Sequence, residues 1–439
     1  MRAIPALYRP GAVPIEHRSI FRFLILDMAW FGILSGSAIA FVAIYAARLG
    51  ASTFEISLLN ASPAVTNLLL ALPAGYWVQK RPLGRTVFVT SVLHRMFYLP
   101  WIVMPWLLSS SGQVWLLILS SLLMSIPGTA LAISFNAMFA GAVPEEWRAY
   151  VVGLRQALYA LVSITVSLFC GWILESFAFP LGYQLVFLIG LVGGVMSSYY
   201  LFKLRAAVDD VEPDTSMDFS RRDWASPGNP APAGSLRTTV GLRWLRGKRR
   251  SMLSLAQLLK GKYGLLMLLM FAFHLTQYLA IPLFPLYFVN EMGLTDQAIS
   301  IGNSLFYVAL FVGSLQLSSM SERWGHHKVL TIGVVTMTLY PALLALATGA
   351  GILYYLVSII GGLSWSLAGG ALANYLLARI PEGEDRPSYL AWYNIALYSG
   401  VLVGSLLAPV IGQVFGLVMA LVVCAIARLV AGVALWKLG

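Results

Sequence analysis

The sequence predicts an all-α membrane protein: twelve transmembrane helices in two pseudo-symmetric six-helix bundles. Three observations carry this prediction. Apolar residues make up 59% of the chain and charged residues only 11%, whereas a soluble domain carries about 25% charged residues. Basic residues gather on alternate loops between the apolar runs. The second half of the chain repeats the first.

Spans are predicted at 20–47, 53–78, 86–109, 113–142, 150–174 and 183–204, and again at 264–289, 296–320, 328–348, 351–379, 388–414 and 416–436. Each run reaches the roughly 20 residues that cross hydrocarbon as a helix. Barrel strands would be about 10 residues long with alternating polarity, and these runs do not alternate. Helices also satisfy their own backbone in lipid, and bundles tolerate prolines such as Pro127, Pro282, Pro285 and Pro409 inside them. The first residues, MRAIPALYRPGAVPIEHRS, have no apolar core or cleavage site of the secretory type, so the first span is expected to stay as the insertion signal. Cys170 and Cys424 sit inside apolar runs without disulfide or metal-ligand spacing, so neither metal nor cofactor is expected.

Orientation follows from the loops. Arg2, Arg9 and Arg18 precede the first span, and Lys80, Arg81 and Arg85 follow the second. Arg148 follows the fourth, and twelve basic residues lie from Lys203 to Lys262. Arg323, Lys328, Arg379, Arg386 and Lys437 complete that side, while the opposite loops carry only Arg48. The positive-inside rule then places both termini in the cytoplasm, here of an inner membrane. It also accounts for the net charge of +11 without a nucleic-acid partner.

The expected domains are an N-terminal bundle at 1–204, a cytoplasmic linker at 205–262 and a C-terminal bundle at 263–439. The linker holds the flexible stretch SPGNPAPAG at 226–234, whose composition forms no packed structure. It then holds a basic segment at 243–264 with Arg243, Arg246, Lys248, Arg249 and Arg250 beside Leu253, Leu255, Leu258 and Leu259. This segment reads either as a short helix on anionic lipid or as a solvated loop that sets topology.

The internal repeat aligns LGASTFEISLLNA at Leu49 with MGLTDQAISIGNS at Met292, pairing Gly50 with Gly293, Ile56 with Ile299, Ser57 with Ser300 and Asn60 with Asn303. Further on, Gln79 and Lys80 meet Glu322 and Arg323, and Gly84 meets Gly325 after a two-residue insertion. Pro144 and Arg148 meet Pro381 and Arg386, and Gln156 meets Asn394. On these residues the chain resembles the major facilitator superfamily over nearly its full length. That family carries a loop G-x-x-x-D-[RK]-x-G-[RK] between helices 2 and 3, repeated more weakly between helices 8 and 9. Here the first copy is Gly75, Gln79, Lys80, Gly84 and Arg85, with an amide in place of the acid. The second is Glu322, Arg323, Gly325 and His326, with Ser318 in place of the leading glycine.

The resemblance implies a secondary transporter of a small organic solute, proton-coupled, as antiporter or symporter, with efflux among its directions, and working as a monomer. It implies that the signature loops act as a latch between halves, with the glycines allowing sharp turns and the charged part resting on Glu322 and Arg323. The antiporter run G-P-x-x-G-G is missing from helix 5, which has only Gly171. Gly400, Gly404, Pro409 and Gly412 lie instead in helix 11, where close helix packing is their expected role. The family binds substrate between halves near the midplane. On the corresponding helices stand Ser35, Tyr45, Asn60, Asn136, Gln156, Gln277, Tyr278, Asn303, Trp365, Asn374, Tyr393 and Asn394, a set suited to a neutral or anionic solute.

Ionisable groups within hydrocarbon are costly and mark function or a partner. They are Asp27, His94, Arg95, Arg155, His274 and Arg428. Asp27, Arg95 and Arg155 lie about 8–14 Å into helices that enter from the same side, so Asp27 is expected to pair with Arg155 or Arg95. Such a pair is either proton- and substrate-responsive or a static lock, and His274 is either a proton carrier or a packed side chain. A membrane enzyme is disfavoured, since H-E-x-x-H, G-x-S-x-G and a cysteine cluster are missing and KGK at 260–262 lacks phosphate-loop glycines. A sensor or partner-binding protein without transport is the remaining rival.

Overall fold

The structure is a computed structural model, and it describes residues 15–209, 262–347, 349–379 and 386–439. The basic segment at 243–250, Pro381 and the side chains of Ser318 and Arg386 lie outside the described residues. Every regular element among the described residues is helical.

Helix α1 covers 15–48 as Ile15–Leu34, a π turn Ser35–Ile39 and Ala40–Arg48. Then follow α2 (Thr53–Gln79), α3 (Leu83–Met96 and Leu99–Leu107), α4 (Ser110–Ala142), α5 (Glu145–Ser176) and α6 (Leu181–Asp209). In the second half α7 covers 262–291, interrupted at Ile281–Pro282. The stretch Asp296–Thr336 divides at Gly325 (φ 79°) into α8 (296–324) and α9 (326–344), the latter ending in Leu339–Leu344. Helix α10 is Ile352–Arg379. Arg386–Leu438 divides at Gly416 (φ 74°) into α11 (386–415) and α12 (417–438). Eleven helical stretches among the described residues are long and apolar enough to cross a membrane. The last of them, Ala391–Leu438, contains the break at Gly416, and its two parts bring the crossings to the predicted twelve.

The differences from the predicted spans have local causes. The span at 86–109 is two helices, because the chain turns at Phe97–Tyr98 and Pro100 opens the second piece. Span nine ends at Leu344 rather than 348. Helix α5 starts at Glu145 rather than 150 because Pro144 forms its extended N-cap (ψ 147°), a residue that stops growth upstream. Arg148 in its first turn donates to Val143 O at 3.0 Å and Ala140 O at 2.8 Å, capping the last turn of α4.

The repeat is visible in the backbone. Gly50 and Gly293 both hold positive φ (85° and 60°), which glycine adopts without steric cost. The aligned Ser52 and Thr295 are the N-caps of α2 and α8, each accepting the amide of the third residue on.

In the first half, α1 packs on α5 and α6, α2 on α4, and α3 on α4 and α6; in the second, α7 packs on α11–α12 and α8–α9 on α10. The halves meet along α2 with α11 and along α5 with α8. Small residues set these approaches, as van der Waals contact drives association in lipid. A Cβ on Gly404 would lie 2.4 Å from Leu275 O, and one on Gly36 2.4 Å from Ser163 O. The expected packing role of the α11 glycines thus holds at Gly404. Gly404→Ala is expected to lower the melting temperature of the detergent-solubilised protein, at a cost of about 1–3 kcal/mol for overpacking. Unchanged melting would contradict this contact.

Twelve crossings return Leu438 to the end of the bundle from which Ile15 starts, called the terminal end below; the opposite end, with Arg48 and Gly293, is the distal end.

Candidate functional site

The charged groups of the first bundle come together. Arg95 on α3 donates Nη2 to Ser197 Oγ on α6 at 2.8 Å, and Ser197 Oγ donates to Asp27 Oδ1 on α1 at 2.5 Å. Arg155 Nη2 on α5 lies 3.7 Å from Asp27 Oδ2, and its Nε donates to Leu24 O at 3.1 Å. The Arg155 guanidinium sits over Phe135 at 4.7 Å and Phe139 at 5.5 Å on α4, a favourable cation–π arrangement. One carboxylate therefore serves two guanidiniums.

The sequence builds this contact through α6. Gly190, Gly193 and Ser197 share one helical face at i, i+3 and i+7. Cβ atoms on the two glycines would lie 2.6 Å from Ala38 Cβ and 2.9 Å from Ile33 Cβ, so α6 comes close enough to α1 for the serine to reach Asp27. Among the described residues, Asp27 is the one buried carboxylate.

In the second bundle His274 Nε2 on α7 lies 3.1 Å from Tyr393 Oη on α11. Gln277 Oε1 and Asn394 Oδ1 are buried without a hydrogen-bond partner. Trp365 and Tyr278 pack, half-buried, against the second bundle's core. Ser35 Oγ, in the π turn of α1, is 2.6 Å from Tyr159 Oη on α5, and Asn60 Nδ2 donates to Ile56 O of its own helix. Asn136, Gln156, Asn303 and Asn374 are half-buried.

Tyr45 corrects the expected cavity set. It is fully buried, donates to Gln113 Oε1 and packs on Tyr183 and Phe187, inside the first bundle's distal core. Its ring fills that core before it can face a cavity. The signature loop also needs a correction. Gly75 is buried within α2 and Gly84 within the first turn of α3, neither with positive φ. The turn is made by Lys80–Pro82, with Arg81 stacked over Trp77 at 4.5 Å. Gln79, Lys80 and Arg85 are exposed, as are Glu322, Arg323 and Gly325. Gly325 alone of these glycines makes the sharp turn.

Sequence reasoning missed a contact at the distal end. Arg48, at the end of α1, pairs with Asp296, at the start of α8, at 3.0 Å, and donates to Leu294 O at 2.5 Å. Nearby, Ser300 Oγ donates to Ser167 O at 2.6 Å. Leu286 and Val289 of α7 and Leu417 of α12 join the core that holds Tyr45. Arg48 as the single basic residue on its side was the available signal. Ser197 and Tyr159 carried none, since a serine or tyrosine in an apolar run is ordinary by itself.

Two helical bundles meeting along paired helices, each burying charge in its apolar interior, define a polytopic membrane protein built by duplication. The sequence model of the Major Facilitator Superfamily matches residues 24–265 and 266–439, and the chain belongs to that family. Among solved structures, it resembles a bacterial homologue of the iron transporter ferroportin in an inward-facing state (TM-score 0.71, 15% identity, 95% of this chain and 98% of that one). It also resembles a D-xylose–proton symporter (0.66, 15%, 95% and 97%) and the nucleoside transporter NupG (0.64, 12%, 95% and 98%). At these identities the likeness shows the fold. No curated protein matches by sequence. Family and fold make the chain a membrane transporter.

Proposed function

We propose that the chain is a secondary active transporter that carries a small neutral or anionic organic solute by alternating access, driven by protons, in the cytoplasmic membrane. The buried Asp27–Arg155 pair carries this reading. An ionised Asp27 offsets one of two guanidiniums. A proton on Asp27 cancels that hold, so Arg155 is released toward the space between α1, α4 and α5 and can meet the solute. Proton and solute occupancy are thereby linked through one side chain, and linkage of this kind is reciprocal.

The basic loops put the terminal end in the cytoplasm. The distal contacts of Arg48, Ser300 and Leu286 then close the outer face. The solute would bind near the midplane among Ser35, Gln156, His274, Gln277 and Asn394. Two of these offer buried acceptors with no partner, which suits a solute bearing hydroxyl or amide donors.

The test is made in proteoliposomes with an entrapped pH dye, using solutes that raise the melting temperature of the purified protein. Addition of such a solute should move protons, and an imposed pH gradient should drive its accumulation. Flux that ignores the pH gradient would refute proton coupling, and no flux for any stabilising solute would refute transport.

A further inference from the structure

We propose that Arg428 is the positioning residue of a hinge in α7, a clamp that holds the broken turns of α7 and α9 at one point. Arg428 is 2% exposed, near the middle of α12, on the stripe formed by Cys424, Ala425, Ala431 and Leu435 that faces the bundle interior. No carboxylate of the described residues pairs with it. A lone cation in that position is costly, so its partners explain it. They are backbone carbonyls at two helix interruptions.

Nη2 donates to Thr276 O at 3.4 Å and Gln277 O at 3.3 Å. These belong to the last turns of α7 before its break at Ile281–Pro282. Nη1 donates to Met337 O at 3.2 Å, at the interruption of α9. The residue four positions on from Met337 is Pro341, which has no N–H to offer that carbonyl. At both interruptions the guanidinium adds donors to main-chain carbonyls, Met337 O among them, which otherwise holds only the 3.3 Å bond from Tyr340 N, and it brings positive charge to helix C-termini. Its planar fork serves two helices at once, which a lysine cannot do.

The clamp stands between two working parts of α7. On the near side lie His274 and Gln277, which belong to the proposed solute site. On the far side, Leu286 and Val289 seal against the first bundle's distal core. Fixing the break fixes the angle between solute face and seal. The inference rests on the alternating-access reading for its consequence, but its test needs no solute.

Ser300, fully buried where the halves touch, becomes the probe as Ser300→Cys in a protein with Cys170→Ala and Cys424→Ala. A membrane-impermeant maleimide applied from the distal side reports opening of the seal. Arg428→Met is expected to speed labelling about tenfold, the loss of roughly one charge-assisted hydrogen bond. Arg428→Lys should behave like Arg428→Met. Adding Pro341→Ala, which gives position 341 an N–H for Met337 O, should slow labelling in Arg428→Met part of the way toward the parent rate. Labelling that stays at the parent rate in Arg428→Met, a normal Arg428→Lys, or no slowing by the alanine would overturn the clamp. If Arg428→Met fails to accumulate, its accumulation with Pro341→Ala supports the clamp, and failure there too overturns it.

Discussion

Asp27→Asn is expected to abolish proton-driven transport while leaving the protein folded. The amide keeps the shape of the carboxylate and its contact with Ser197, but it leaves Arg95 and Arg155 with no countercharge. Removing one partner of a buried pair costs about 3–5 kcal/mol. If that cost falls mainly on the conformation in which the pair is made, the balance between conformations shifts roughly a hundredfold or more. Counterflow in proteoliposomes reads the transport defect, and the melting temperature reads the fold. The double variant Asp27→Asn/Arg155→Gln separates a proton site from a static lock. It removes the carboxylate and the Arg155 guanidinium and leaves Arg95 alone uncompensated, so stability should recover in part while proton-driven accumulation stays lost. Recovery of accumulation in the double variant would assign the pair to scaffolding.

The second large effect is expected at the distal end. Arg48→Gln removes the charge that bridges α1 and α8 and weakens the bond to Leu294 O. Hydrogen bonds to charged groups contribute about 1.5–3 kcal/mol, so the closed distal end should open about 10- to 100-fold more often. The side chains are 26% and 12% exposed, which places the result near the lower bound because solvent screens the pair. Maleimide labelling of Ser300→Cys from the distal side measures it. The exchange Arg48→Asp/Asp296→Arg should recover part of the closure. An Arg48→Gln protein that labels at the parent rate would show that apolar packing alone, through Leu286 and Leu417, holds that end shut.

Much of this architecture was readable in the residues. A helix in lipid is specified by local properties, namely length, apolarity and flanking charge, and these are present in linear order. The spans therefore emerged near their observed places. The duplication was readable for the same reason: Gly50 and Gly293 recur because each helix junction needs the same left-handed turn. The meeting of Asp27 with Arg155 also followed from depth, since residues at similar distances into neighbouring helices share a level.

Contacts that depend on rotation about helix axes were less readable. Its place on the first helix put Tyr45 among the cavity residues that the family resemblance implies, but its azimuth turns it into the core beside Tyr183 and Phe187. Gly84 matched the signature in position, yet the turn fell on Lys80–Pro82 because proline sets the boundary of α3. Arg428 was recognised as an ionisable group out of place, with no sign of a partner. Its partners are main-chain carbonyls, which every residue possesses and no sequence pattern marks.

By itself, then, the amino-acid order determined the solvent of this protein, its twelve helices and their pairing into two related halves, because hydrocarbon acts on each segment through its own composition. Only the tertiary structure decided which polar groups meet: Ser197 between Asp27 and Arg95, Arg48 across to Asp296, Arg428 at two broken turns. Such meetings depend on helix azimuth and on close approach at small residues, and those are properties of packed pairs of helices.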